Sequence, residues 1–161
     1  MAATRLEKRG SPTGLRRMLF RAPIILYRVG LGFLLGTRFL MLEHLGRKSG
    51  QPRRTVLEVV VDDPDAAYVA AAWGAEAQWL QNVRANPDVV FHLGSRRYET
   101  KAEIVEKRMA HELMARYASA HPKVLDRLAA FMLEDPGDTP GEQAARVAAS
   151  VPIVRLAKRR G

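Results

Sequence analysis

The residues best suited to chemistry lie together in Gly46-Arg47-Lys48-Ser49-Gly50-Gln51-Pro52-Arg53-Arg54-Thr55. Four cations, two glycines and two hydroxyls occupy ten positions between the apolar runs at 39–42 and 56–61. Guanidinium and ammonium groups make charge-assisted hydrogen bonds to oxyanions, and a glycine turn aims backbone N–H groups at the same target. Gly50 would let the backbone approach a ligand closely. The segment reads either as a solvated hairpin tip or as a cradle for phosphate or carboxylate. Alternation along a following strand puts Arg53, Thr55, Leu57 and Val59 on one face and Arg54, Val56, Glu58 and Val60 on the other. Arg53 and Thr55 can therefore act on one ligand, while Arg54 points towards Glu58 or solvent.

Other chemistries fail on residue type or spacing. The chain has no cysteine, which excludes disulfides, thiolate catalysis and cysteine-based zinc sites. His111-Glu112 begins like a zinc-protease motif, but the second histidine position holds Ala115. Gly30, Gly32 and Gly36 lack dinucleotide-fingerprint spacing. Lys48-Ser49 lacks the glycine that precedes the lysine of a phosphate loop, and Ser49 and Ser95 lack a nucleophile-elbow setting. His44, His92, His111 and His121 are scattered; only His44 adjoins the basic turn. No metal site is expected. The protein is either a binder or an enzyme whose bound cofactor carries the chemistry.

The length of 161 residues favours one domain, and the net charge of +9 calls for an acidic partner. Aromatics do not alternate with the cations, which disfavours nucleic acid. The apolar region at 24–45 is interrupted by Arg28, Arg38, Glu43 and glycines, too polar for a spanning helix. Without a signal-peptide pattern, a cytoplasmic location is expected.

Residues 1–14 read as a basic arm. From 15 to 36, Leu15, Met18, Leu19, Ala22, Leu26 and Val29 recur at helical spacing among arginines. This predicts an amphipathic helix that packs on the domain or a partner, or lies on an anionic membrane. Strands are predicted at 39–44, 53–61, 68–72, 89–93, 96–105 and 151–157, and helices at 76–85, 106–120 and 123–133. Residues 135–141 read as a Pro/Gly/Asp loop. The pattern predicts a small barrel with helices on its rim, formed by residues 15–161 as one domain.

The basic segment resembles the signature of the deazaflavin-dependent nitroreductase family. Two further blocks agree. One is Tyr68-Val69-Ala70-Ala71-Ala72-Trp73-Gly74 followed by Trp79-Leu80-Gln81-Asn82-Val83-Arg84-Ala85-Asn86-Pro87; the other is Val151-Pro152-Ile153-Val154-Arg155-Leu156. The resemblance implies a mainly β, α+β split β-barrel of the FMN-binding type with flanking helices. It implies coenzyme F420, whose phospholactyl-oligoglutamate tail is anionic, and hydride transfer to a hydrophobic quinone, enone, nitro compound or lipid-like acceptor. FMN, or a non-catalytic cofactor- or lipid-binding role, is the alternative. Lys48 and Arg53 match the family's tail-binding positions, with Arg47, Ser49, Gln51, Thr55 and Val56 beside them. Ala70, Ala71, Ala72, Trp73 and Gly74 match a small-residue strand lying against the deazaflavin. Trp79 either walls the pocket or fills the core, and Asn82 either binds backbone or cofactor. Tyr117 matches a region of substrate-pocket tyrosines and is a candidate proton donor. The 74–79 segment is shorter than in the nitroreductases, and Leu80 replaces a common tyrosine, so the substrate side is expected to differ. Monomer and homodimer both remain open.

Overall fold

The structure, a computed structural model, describes residues 36–159. Apolar alternation builds its strands: β1 Phe39–Leu45, β2 Pro52–Asp62, β3 Ala66–Ala70, β4 Asp88–Leu93, β5 Arg96–Ile104 and β6 Ile153–Ala157. Its helices are α1 Gln78–Ala85, α2 Lys107–Ala120, α3 Pro122–Met132 and α4 Pro140–Ser150, with a 3₁₀ turn at Gly74–Glu76. The strands close into a barrel in the order β1-β2-β3-β6-β5-β4, every pairing antiparallel. This is the expected barrel with flanking helices. The predicted arm at 1–14 and nearly all of the predicted helix at 15–36 lie outside the described residues.

One irregularity shapes the barrel. β2 pairs with β1 from Pro52 to Glu58, but it meets β3 only from Val59 onward, through a register shift between Val59 and Val61. An inserted residue of this kind bends a strand and breaks its ladder. Val59 then enters the barrel core, while both Val60 and Val61 join the core outside it. Among the described residues, no strand pairs with the far edge of β2 before Val59, so the barrel is split there.

Two apolar cores follow. Leu40, Leu42, Val69, Phe91, Val154 and Leu156 fill the barrel, together with Trp79, Leu80 and Val83 from α1. Val60, Tyr68 and Ile153 on the outer face pack against α2, α3 and α4. The sequence reading contains no α4; residues 142–150 follow the loop at 135–141 without an assigned element. Its start carries a signal all the same. The Thr139 side chain accepts from the Glu142 N–H at 3.2 Å, and Glu142 Oε2 accepts from the Thr139 N–H at 3.2 Å. That reciprocal capping box precedes the Ala144, Val147 and Ala148 stripe that α4 buries.

Tyr117 lies in the outer core, 2% exposed, and its hydroxyl donates to Glu58 Oε1 at 2.9 Å. Burial pushes the Tyr117 pKa well up, and the Glu58 carboxylate adds to it. An unfolded tyrosine loses its proton near pH 10 (about 10). The folded hydroxyl keeps it, so this contribution is whole below that pH and declines above it. Tyr117→Phe is expected to lose about 1 kcal/mol at neutral pH. Urea melts should show its stability falling less steeply than that of the parent above about pH 10. Equal slopes would count against the bond.

Candidate functional site

The basic segment is the turn of the β1–β2 hairpin. Gly46 N–H donates to the Gln51 carbonyl at 2.9 Å, and Gly50 N–H donates to the Gly46 carbonyl at 2.7 Å. Gly50 sits at φ +65°, a left-handed conformation that costs a residue with a Cβ about 1–2 kcal/mol. The Gln51 N–H donates to Ser49 Oγ at 3.3 Å. A Cβ on Gly46 would lie 2.7 Å from that same Oγ, so a side chain there would turn the Ser49 hydroxyl away from the Gln51 N–H.

The four cations of the turn divide into two pairs. Arg47 is held by α1: its N–H and Nη1 donate to Asn82 Oδ1 at 3.1 and 2.9 Å, and Nη2 donates to Gln78 Oε1 at 3.1 Å. Arg54 lies opposite Glu43 in the β1–β2 register, and its Nε donates to Glu43 Oε2 at 3.1 Å. Arg54 stays exposed to solvent, as expected, but its carboxylate partner is Glu43 and not Glu58. The cross-strand neighbour on that face is Glu43, while Glu58 is taken by Tyr117 and by Arg38 at 3.6 Å. Burial pushes the Glu43 carboxyl up, but hydrogen bonds from His92 (2.7 Å) and Arg54 outweigh it and hold the group below the usual carboxylate range. Lys48 and Arg53 are exposed and, among the described residues, form no ion pair or hydrogen bond through their side chains.

Arg53 faces His44 across the hairpin. His44 is 6% exposed; burial lowers its pKa, with the Arg53 charge lowering it further against a hydrogen bond to Leu45. Its ring is therefore neutral at pH 7 and adds no charge. Thr55 and Val56 are half-buried on opposite faces of β2.

The remaining predicted residues separate. Ala71 is fully buried in the barrel core, whereas Ala70 and Ala72 pack half-buried against the outer core. Trp73 is 43% exposed at the start of the 3₁₀ turn, and Gly74 follows at φ +71°. Trp79 is 7% exposed within the barrel core, which fits the core-filling reading. Asn82 accepts from the Arg47 backbone N–H and from Arg47 Nη1, which fits the backbone-binding alternative. Tyr117 lies with Glu58 on the face of β2 opposite Arg53. Glu43 and Gln78, which decide which cations are free, were not among the sequence candidates. Hairpin register could have revealed Glu43; nothing in the sequence marks Gln78.

A cavity of about 840 Å³ opens beside His44, Leu45 and Pro52. Glu43, Asp88, Glu99 and Glu103 line it against Lys101 and Arg159, so it does not suit an anion. Among the described residues, no group of His, Cys, Asp and Glu could hold a metal, and no helix is long and apolar enough to cross a membrane.

Known proteins resemble this chain in sequence and in fold. In Mycobacterium tuberculosis, Rv3178 is 32% identical over 96 residues, covering 58% of this chain and 81% of that protein; its naming as an F420H(2)-dependent quinone reductase is provisional. The F420H(2)-dependent quinone reductase Rv1261c of the same organism is 36% identical over 70 residues, covering 42% of this chain and 46% of that protein, about half its length. A solved F420-H2 dependent reductase superposes with a TM-score of 0.52 at 19% identity, over 73% of this chain and 92% of that one, and so shares the fold. The motif resemblance to nitroreductases thus meets the fold and coenzyme of a family named for quinones. The model of the F420H(2)-dependent quinone reductases matches residues 25–130, well over half the sequence, and the chain belongs to that family of F420-dependent oxidoreductases.

Proposed function

We propose that the protein reduces a quinone with reduced F420, held along the split between the open half of β2 and the Trp73 segment. One observation carries this reading. Of the four cations in the turn, only Lys48 and Arg53 lack a protein partner among the described residues. Two uncommitted cations beside a glycine turn fit the phosphate and carboxylates of the coenzyme tail. Ser49, Gln51 and Thr55 supply hydroxyl, amide and backbone groups next to them. The small-residue segment Ala70–Gly74, with Trp73 43% exposed, lies at the end of β3 that leads away from the paired part of β2. When bound, the deazaflavin supplies the hydride from its C5. The protein binds the coenzyme and orients it towards the acceptor. Because Tyr117 already donates its proton to Glu58 on the opposite face of β2, we assign the proton of the reduced acceptor to water.

The test is a parallel titration with F420 and FMN, followed by tryptophan fluorescence, then turnover of reduced F420 against a naphthoquinone, an enone and a nitroaromatic. Saturable F420 binding and naphthoquinone-dependent oxidation are expected. Preference for FMN, or binding without turnover of any acceptor, would overturn the reading.

A further inference from the structure

The bonds between α1 and the turn define a role for residues that were expected to touch the cofactor. Asn82 is 7% exposed, yet both ends of its amide are in use. Oδ1 accepts from the Arg47 backbone N–H and from Arg47 Nη1. Both are obligate donors, so the amide can sit only with its oxygen towards Arg47. Nδ2 then faces His44 Nδ1 at 3.3 Å. An NH₂ group can only donate, so Nδ1 accepts and the His44 proton sits on Nε2. Gln78 completes the grip on the guanidinium from an exposed position one turn earlier on α1.

We infer that Asn82, braced by His44, is a positioning residue that fixes the cationic turn through Arg47, and that Arg47 is a strut, not a ligand of the coenzyme. The inference rests on the proposal that Lys48 and Arg53 bind the tail. Arg47 and Lys48 are neighbours in sequence, and Arg53 lies across the hairpin from His44. Anchoring Arg47 by both backbone and side chain therefore sets where Lys48 starts, while His44 supports the strand opposite Arg53. Asn82 also shares α1 with Trp79 and Leu80, which are buried in the barrel. The turn is thereby referenced to the rigid core and not to solvent. Pre-set donors lose less ordering entropy when a flexible polyanion binds.

The test compares F420 with a tail-less deazaflavin that has the ring but neither phosphate nor glutamates. Asn82→Ala should weaken F420 binding about tenfold and leave tail-less binding within about twofold, with faster hydrogen exchange of the Arg47 amide in the ligand-free protein. Arg47→Ala combined with Asn82→Ala should bind F420 within about threefold of Asn82→Ala alone, since both break one connection. Gln78→Ala, an exposed change that leaves the fold intact, should weaken F420 binding by about two- to threefold and spare the tail-less compound. Equal loss for both ligands in Asn82→Ala, multiplicative losses in the double variant, or unchanged F420 affinity with a loosened Arg47 amide would each overturn the inference. Failure of the underlying reading is distinct: Lys48→Ala with Arg53→Ala would then leave F420 affinity unchanged, whatever Asn82 does.

Discussion

Replacing both Lys48 and Arg53 by alanine is expected to abolish detectable F420 binding at micromolar concentrations without unfolding the protein. Hydrogen bonds to charged groups are worth about 1.5–3 kcal/mol each, so the pair amounts to about 3–6 kcal/mol, or roughly 10²–10⁴ in affinity. The two side chains spend none of that energy on the protein, since among the described residues they have no partner to lose. Their removal should therefore leave the melting temperature nearly unchanged. Arg54→Ala is the internal contrast, because that guanidinium is already neutralised by Glu43. Fluorescence titration and a thermal melt on the same samples decide the matter. Unchanged affinity in the double variant would remove the anion site from the turn.

The second large effect concerns the barrel that holds the site. Phe91 is fully buried, stacked on Tyr98 with ring centroids 4.9 Å apart and planes 20° apart. It lies opposite Leu42 of β1, also fully buried. Phe91→Ala leaves a ring-sized void between strands whose backbones are fixed by pairing on both sides. The expected cost is about 3–5 kcal/mol, a large share of the roughly 5–15 kcal/mol that holds a domain together. Urea denaturation measures it, and a cost below about 1 kcal/mol would show that the barrel collapses around the void. Leu80 and Val83 share this core, so α1, which carries Asn82, should loosen as well.

Local pattern revealed what depends on local pattern. The hairpin was legible because two apolar runs flank a glycine turn, and the face of each β2 residue follows from alternation up to Val59. Beyond it the bulge breaks parity and turns Val60 and Val61 the same way, which no single-strand reading contains. The fate of each cation was less legible. Choosing between Glu43 and Glu58 as the partner of Arg54 requires the register of a second strand. The Asn82–Arg47 contact joins residues 35 positions apart, so sequence showed a polar helix residue without saying what it grips. The α4 helix was obscured for another reason: Pro140 and Gly141 read as loop, although proline suits a first helical turn and Thr139 and Glu142 carry its cap.

The split in the barrel has a cost that the same turn helps to contain. An edge with unsatisfied N–H and C=O groups is a template for pairing with any extended chain, including a second copy of this one. Along Pro52–Glu58 that edge begins with a residue that cannot donate and continues with Arg53 and Arg54. Proline and adjacent like charges are what keeps such an edge solitary. Among the described residues that edge is open, and Arg53, which we propose binds the coenzyme tail, would also disfavour its pairing with a second chain when no coenzyme is bound.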